Sequence, residues 1–204
     1  MITMPEGAMT WVFAGDSITH GCLHTHGSRN YVEHCTEVLR WQTGRITDVV
    51  VNVGISGLRV PDLLADFDFR LRRFAPDVVF LMLGTNDATA GAAGVEGFAS
   101  QLEELALRIR SLGADLVLQV PPLIRAEPSG RAAMPLYCGA IRDVAQQLAV
   151  PIVDHAHDWE SHPPAGGLDE WLADDIHPNA EGHLRMARKL LATLGVAGDP
   201  LNSA

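Results

Sequence analysis

The chain has 204 residues, 47% of them apolar, which suits one α/β domain with a sizeable core and excludes a disordered or fibrous chain. Twenty-five acidic residues against fifteen basic give a net charge of −10, which repels nucleic acid and anionic membrane surfaces, so neither is an expected partner. No apolar run approaches the ~18 residues of a membrane span, residues 1–7 lack the basic and apolar regions of a secretory signal, and Cys22, Cys35 and Cys138 form no even framework; these features predict free thiols and a cytoplasmic location.

Strands and helices alternate along the chain. An apolar run predicts a strand over 10–15, ending in Gly15-Asp16-Ser17. A helix over 30–43 follows, opened by Asn30 and Glu33 as a capping box and striped by Tyr31, Cys35, Val38 and Leu39. A second strand is expected over 46–53. A second helix over 61–74 starts at Pro61, with Leu63, Phe67, Leu71 and Phe74 at helical spacing. The stretch 77–83 is apolar at six successive positions and reads as the central strand, buried on both faces. Then come a helix over 95–112, a strand over 115–120 stopped by Pro121-Pro122, a helix over 134–149 and a strand over 151–154. A polar loop is expected over 155–177, and a last helix from Pro178 to Leu194, followed by a frayed tail over 197–204. Five strands alternating with helices predict a three-layer αβα sandwich around a parallel sheet of flavodoxin-like order 2-1-3-4-5. No repeat and no linker divides the chain, so a single domain over 1–204 is expected.

Ligands of such sheets bind outside the carboxyl ends of the strands, and polar residues collect there. Ser17 follows the first strand and is a candidate nucleophile, which needs a base within hydrogen-bond reach. His177 is the candidate base. With Pro178 at the first helical position, His177 would be the N-cap, where the helix dipole keeps imidazole neutral. Asp174 can fold back to hold the other ring nitrogen, whereas Asp175 is expected to point elsewhere. Gly57, after the second strand, and the Asn86 amide, after the third, are candidate donors to a developing oxyanion. Read singly, each of these residues would also suit an ordinary turn or cap.

Together, Gly15-Asp16-Ser17-Ile18-Thr19, Gly54-Ile55-Ser56-Gly57, Gly84-Thr85-Asn86-Asp87 and Asp174-Asp175-Ile176-His177-Pro178 resemble the four blocks of the SGNH hydrolase superfamily, which includes the GDSL esterases and lipases. The resemblance implies Ser17, His177 and Asp174 as a triad, and an oxyanion hole from the Ser17 and Gly57 N–H groups and the Asn86 amide. It also implies the same αβα fold, no metal and no organic cofactor. The expected function is hydrolysis of a carboxylic ester of a small soluble substrate through an acyl-enzyme on Ser17. An acyltransferase with the same triad, using an alcohol or amine acceptor, is the runner-up. A non-catalytic flavodoxin-like binding module is the reading from another class, disfavoured by the intact set of four. Nothing in the sequence speaks to oligomeric state.

Several other groups invite a role. His20, Cys22, His24, His26, His34 and Cys35 crowd sixteen positions, but their spacing matches no common zinc pattern. His155, His157, Asp158 and His162 read as solvated loop. Trp159 and Trp171 either line a substrate pocket or cover the edge of the core, the simpler reading. Arg125 is read as an exposed arginine, with contact to an anionic substrate group as the alternative.

Overall fold

A computed structural model describes residues 7–196, and its centre is β3 (Val78–Met82), every residue of which is buried. Side chains alternate across a strand, so β3 feeds two cores at once. Val79 and Leu81 enter one core, and Val78, Phe80 and Met82 the other. That double burial is why the strand is apolar throughout rather than at alternate positions. The sheet is five-stranded and parallel in the order β2-β1-β3-β4-β5, with β1 at Thr10–Gly15, β2 at Val49–Asn52, β4 at Asp115–Val120 and β5 at Ile152–Asp154. This is the predicted order.

Helices cover both faces. On one lie α3 (Val60–Ala65), α4 (Phe67–Arg70), α5 (Val95–Arg110) and α6 (Met134–Gln147). On the other lie α2 (Tyr31–Glu37), α7 (His155–Ser161) and α8 (Ala180–Leu194). A one-turn helix, α1 (Ser17–His20), follows β1 directly. The predicted capping box opens α2: Asn30 accepts from Glu33 N at 3.0 Å, and Glu33 accepts from Asn30 N at 2.8 Å. Among the described residues, no helix is long and apolar enough to cross a membrane, and all three cysteines are free.

Several boundaries differ from the sequence reading, and the second strand, expected over 46–53, is confined to Val49–Asn52. The helix expected over 61–74 is broken at Asp66 and Leu71, both of which leave helical dihedrals, and it ends in a 3-10 turn at Arg72–Phe74. Val60, Leu63, Phe67 and Leu71 stay buried on one side across the breaks, so their spacing reads as one helix. The helix expected to reach 43 widens into a π-turn at Val38–Gln42. The stretch expected to be a polar loop begins as α7. Asp154 caps it by accepting from His157 N at 2.9 Å, and His155, Ala156 and Trp159 are buried. Histidine counted there as a polar residue, whereas His155 is a core residue. The last helix starts two residues later than Pro178, because Asn179 is its cap and accepts from Glu181 N and Gly182 N. The expected tail over 197–204 lies outside the described residues.

The loop after β2 packs against α1. Asn52 Nδ2 donates to Thr19 O at 2.7 Å, and Gly54 N donates to Asn52 Oδ1 at 2.9 Å. A Cβ on Gly54 would sit 2.4 Å from the backbone nitrogen of His20, so only glycine lets the two segments meet. Gly97, within α5, has open space where its Cβ would be. Gly54→Ala is therefore expected to lower the melting temperature by about 3–10 °C, from an overpacking cost of about 1–3 kcal/mol. Gly97→Ala is expected to leave it unchanged or raise it slightly. Thermal unfolding followed by circular dichroism compares the two.

Candidate active site

The carboxyl ends of β1, β2 and β3 bring three short segments together. After β1, Asp16 caps α1 with Oδ1 accepting from Ile18 N at 3.0 Å, which leaves Ser17 as the first helical residue. After β2, Ile55 N donates to Gly15 O at 3.0 Å, tying this loop to the end of β1. Its Gly57 is exposed and has φ +84°, a left-handed conformation suited to glycine. After β3, Asn86 Nδ2 donates to Leu58 O at 3.2 Å, so the amide sits against the residue that follows Gly57. Asn86 Oδ1 accepts from Arg131 Nη2 at 3.2 Å, and Arg131 Nε also donates to Thr85 O at 2.7 Å. With its oxygen engaged by a guanidinium, the Asn86 amide presents its N–H side toward the β2 loop.

The fourth segment arrives from the far end of the chain. Leu172 and Pro178 form an antiparallel bridge, Ala173 N donates to His177 O at 2.8 Å, and Asn179 N donates to Trp171 O at 2.9 Å. Within this tight loop Asp174 Oδ1 accepts from Ile176 N at 2.7 Å and His177 N at 2.8 Å. The loop presents His177 to Ser17, with Ser17 Oγ and His177 Nε2 2.8 Å apart. His177 Nδ1 lies 2.8 Å from Asp174 Oδ2. Ser17, His177 and Asp174 thus form one hydrogen-bonded line. Because Asn179 and not His177 caps α8, the expected N-cap position of His177 is corrected, and with it the helix-dipole account of its neutrality. Burial is what lowers the pKa of His177, against the raising effect of Asp174; His24 and Arg131 push the same way as burial. Burial on its own would raise the Asp174 carboxyl. The N–H bonds from His177 and Ile176 and the His177 ring outweigh it and bring the pKa down to about 2.

Arg125 straps the loop. It forms an ion pair with Asp169, donates to Asp175 Oδ1 at 3.2 Å and reaches Asp174 O at 3.1 Å. It is a structural tie, and Asp175 points to it and away from His177, as expected. Trp159 and Trp171 pack edge to face at 4.9 Å inside the core, which agrees with the simpler reading of both. His155 is fully buried, with Nε2 3.1 Å from Gln119 Oε1, so it belongs to a core polar network and not to a solvated loop.

Two contributors escaped the sequence reading. Arg131 lies in the β4–α6 connection, where nothing local ties it to Asn86. His24, from the histidine-rich stretch, stacks on His177 with centroids 3.4 Å apart and planes 1° from parallel, and its Nδ1 lies 3.2 Å from Asp174 Oδ2. Among the described residues, His24, Asp174 and His177 are the group that brings three possible metal-binding atoms within 4.8 Å of one another. The rings are parallel, however, and a ligated cation lies near the plane of each imidazole that binds it. Joint ligation would require one ring to turn.

The chain belongs to the GDSL-like Lipase/Acylhydrolase family, whose model matches residues 13–185. An acetylxylan esterase from Geobacillus stearothermophilus is 26% identical over 208 residues, covering 90% of this chain and 93% of that protein. An alpha/beta hydrolase enzyme from the metagenome of Lake Arreo, Spain, is 26% identical and superposes with a TM-score of 0.80 over 95% of this chain and 99% of its own. A catalytic mutant of an acetylxylan esterase from Geobacillus stearothermophilus gives a TM-score of 0.77 over 95% and 98% of the two chains; at 24% identity, that likeness concerns the fold.

Beneath Ser17, Asp16 is buried. Burial pushes its pKa from the usual 3.8 up to about 7, with the help of Asp87, which is itself buried, and against the Ile18 N–H bond, the Thr85 side chain and Arg131. Between these values the folded protein binds more protons than the unfolded chain, so this group makes stability fall as pH rises from about 4 to 7. Asp16→Asn keeps an acceptor at the cap and removes the charge. It is expected to raise the melting temperature at pH 8 relative to the parent protein, with the gain vanishing near pH 4. Scanning fluorimetry at both pH values measures it, and a gain independent of pH would contradict the assignment.

Proposed function

We propose that this protein hydrolyses carboxylic esters of small substrates through an acyl-enzyme on Ser17. The observation that carries the reading is the hydrogen-bonded line from Ser17 Oγ through the His177 ring to Asp174. Family membership and the named activity of the Geobacillus relative support the same reaction type.

In this reading His177 Nε2 takes the Ser17 proton as Oγ attacks the ester carbonyl. Asp174 keeps the Nδ1–H tautomer and stabilises the imidazolium that forms. The oxyanion is bound by the N–H groups of Ser17 and Gly57 and the Asn86 amide, with Arg131 fixing the orientation of that amide. His177 then protonates the leaving alcohol. Water, deprotonated by the same ring, releases the acid. The relative's name makes acetylated carbohydrate the first substrate class to test.

The test is release of p-nitrophenol from acetate, butyrate and octanoate esters, and of acetate from acetylated xylo-oligosaccharides. Ser17→Ala is expected to lower kcat by several orders of magnitude, with acetate the preferred acyl group. Full turnover by Ser17→Ala would end the reading.

The pH profile provides a second check. Imidazolium cannot accept a proton, so kcat/KM falls as pH drops through the pKa of His177. Burial lowers that pKa from 6.5, so the acid limb is expected below 6.5. A flat profile between pH 4 and 8 would exclude a histidine base.

A further inference from the structure

We infer that His24 is a positioning residue of the active site, a second imidazole that fixes the ring of His177 by stacking on it beside Asp174. This rests on the hydrolase reading above, although one of its tests does not.

Three observations carry it. First, the rings of His24 and His177 lie face to face, 3.4 Å between centroids and 1° from parallel. Aromatic rings left to themselves prefer offset or edge-to-face packing, so the stack needs another cause. Second, that cause is present: Nδ1 of His24 lies 3.2 Å from Asp174 Oδ2, the oxygen that is 2.8 Å from Nδ1 of His177. That oxygen is hydrogen-bonded to His177 and lies against the Nδ1 edge of His24, an ion pair when His24 is protonated. Third, the backbone around His24 is bent to deliver it. Leu23 has φ +69° and His26 has φ +50°, left-handed values that non-glycine residues adopt rarely and keep only where the surroundings enforce them. Leu23 is 81% exposed, so its own side chain gains little from the conformation. The turn is closed by Thr25 Oγ1 donating to Gly21 O at 3.0 Å and Asn30 Nδ2 donating to His20 O at 3.2 Å.

The consequence for His177 is mechanical. A ring that passes a proton from Oγ to a leaving group must keep Nε2 on target and must not flip. His24 covers one face of that ring, and Asp174 anchors its edge. A ring held on target acts as the proton moves, so its positioning bears on kcat and not merely on affinity.

The test uses three variants of the full chain. His24→Ala removes the ring and its contact with Asp174. His24→Asn keeps a polar group near the position of Nδ1, and His24→Phe keeps a stacked ring without one. With p-nitrophenyl acetate, His24→Ala is expected to lower kcat about tenfold and leave KM within about twofold, with Asn and Phe each restoring part of the loss. The melting temperature, read alongside, separates this from unfolding; if His24→Ala fails to fold, the Asn and Phe variants carry the comparison with the parent protein.

The low-field Nδ1 proton resonance of His177, assigned by its loss in Asp174→Ala, is read by NMR without substrate. It is expected to be sharp in the parent protein and shifted or broadened in His24→Ala. Absence of Ser17-dependent turnover in the parent protein would overturn the hydrolase reading and leave the NMR comparison to decide the positioning role. Parent-like kcat together with an unchanged resonance in folded His24→Ala would overturn the inference itself.

Discussion

One hydrogen bond, 2.8 Å from Ser17 Oγ to His177 Nε2, joins residues 160 apart in sequence. A contact of that kind tolerates errors of a few tenths of an ångström, and neither partner can supply the precision alone. Ser17 gets its place from the sheet. It stands two residues beyond the end of β1, which is hydrogen-bonded to β2 on one side and β3 on the other. His177 gets its place from a loop that is pinned on three sides: the Leu172–Pro178 bridge, the Asn179 cap of α8 and the Arg125 strap. The two halves meet because α8 and α2 pack in the same core beneath them.

The interior below the site is unusually polar for a parallel sheet. Thr19 Oγ1 and Tyr31 OH are 3.0 Å apart, Gln119 Nε2 donates to Tyr31 OH at 3.4 Å, and His155 Nε2 lies 3.1 Å from Gln119 Oε1. These contacts tie α1 to α2, β4 and α7 through side chains, so the helical turn that bears Ser17 is anchored from below. Burial pushes the His155 pKa down to about 3, so it sits in this network as a neutral ring. Asp16 and Asp87, buried nearby, are pushed the opposite way, toward their protonated forms. Directly beneath Ser17, the protein thus disfavours fixed charge, and it keeps the Asp174 carboxylate ionised at the rim.

Much of this was legible in the amino-acid order. The apolar run 78–83 identified the central strand because burial on both faces leaves no polar position, and βα alternation implied a parallel sheet covered on both faces. Asn30 with Glu33 marked a helix start because a capping box is a local device, closed within four residues. Ser17, Gly57, Asn86, Asp174 and His177 could be listed because each sits directly after a strand or before a helix, where polar groups gather in such sheets. What misled was equally local. Periodicity read 61–74 as one helix, since buried positions keep their phase across a break, and a polar count read 155–161 as loop, since histidine is polar in composition but packs in the core here.

The sequence by itself determined the fold class, the parallel sheet and the residue types at the rim, because these follow from periodicity and nearest-neighbour chemistry. Tertiary structure alone decided which groups touch. Arg131 reaches Asn86 across 45 residues, His24 stacks on a ring from the opposite end of the chain, and Asn179 takes the cap that Pro178 was expected to leave to His177. Such contacts depend on where separate elements pack against one another, and no local pattern encodes a distance between segments that meet only when the chain is folded.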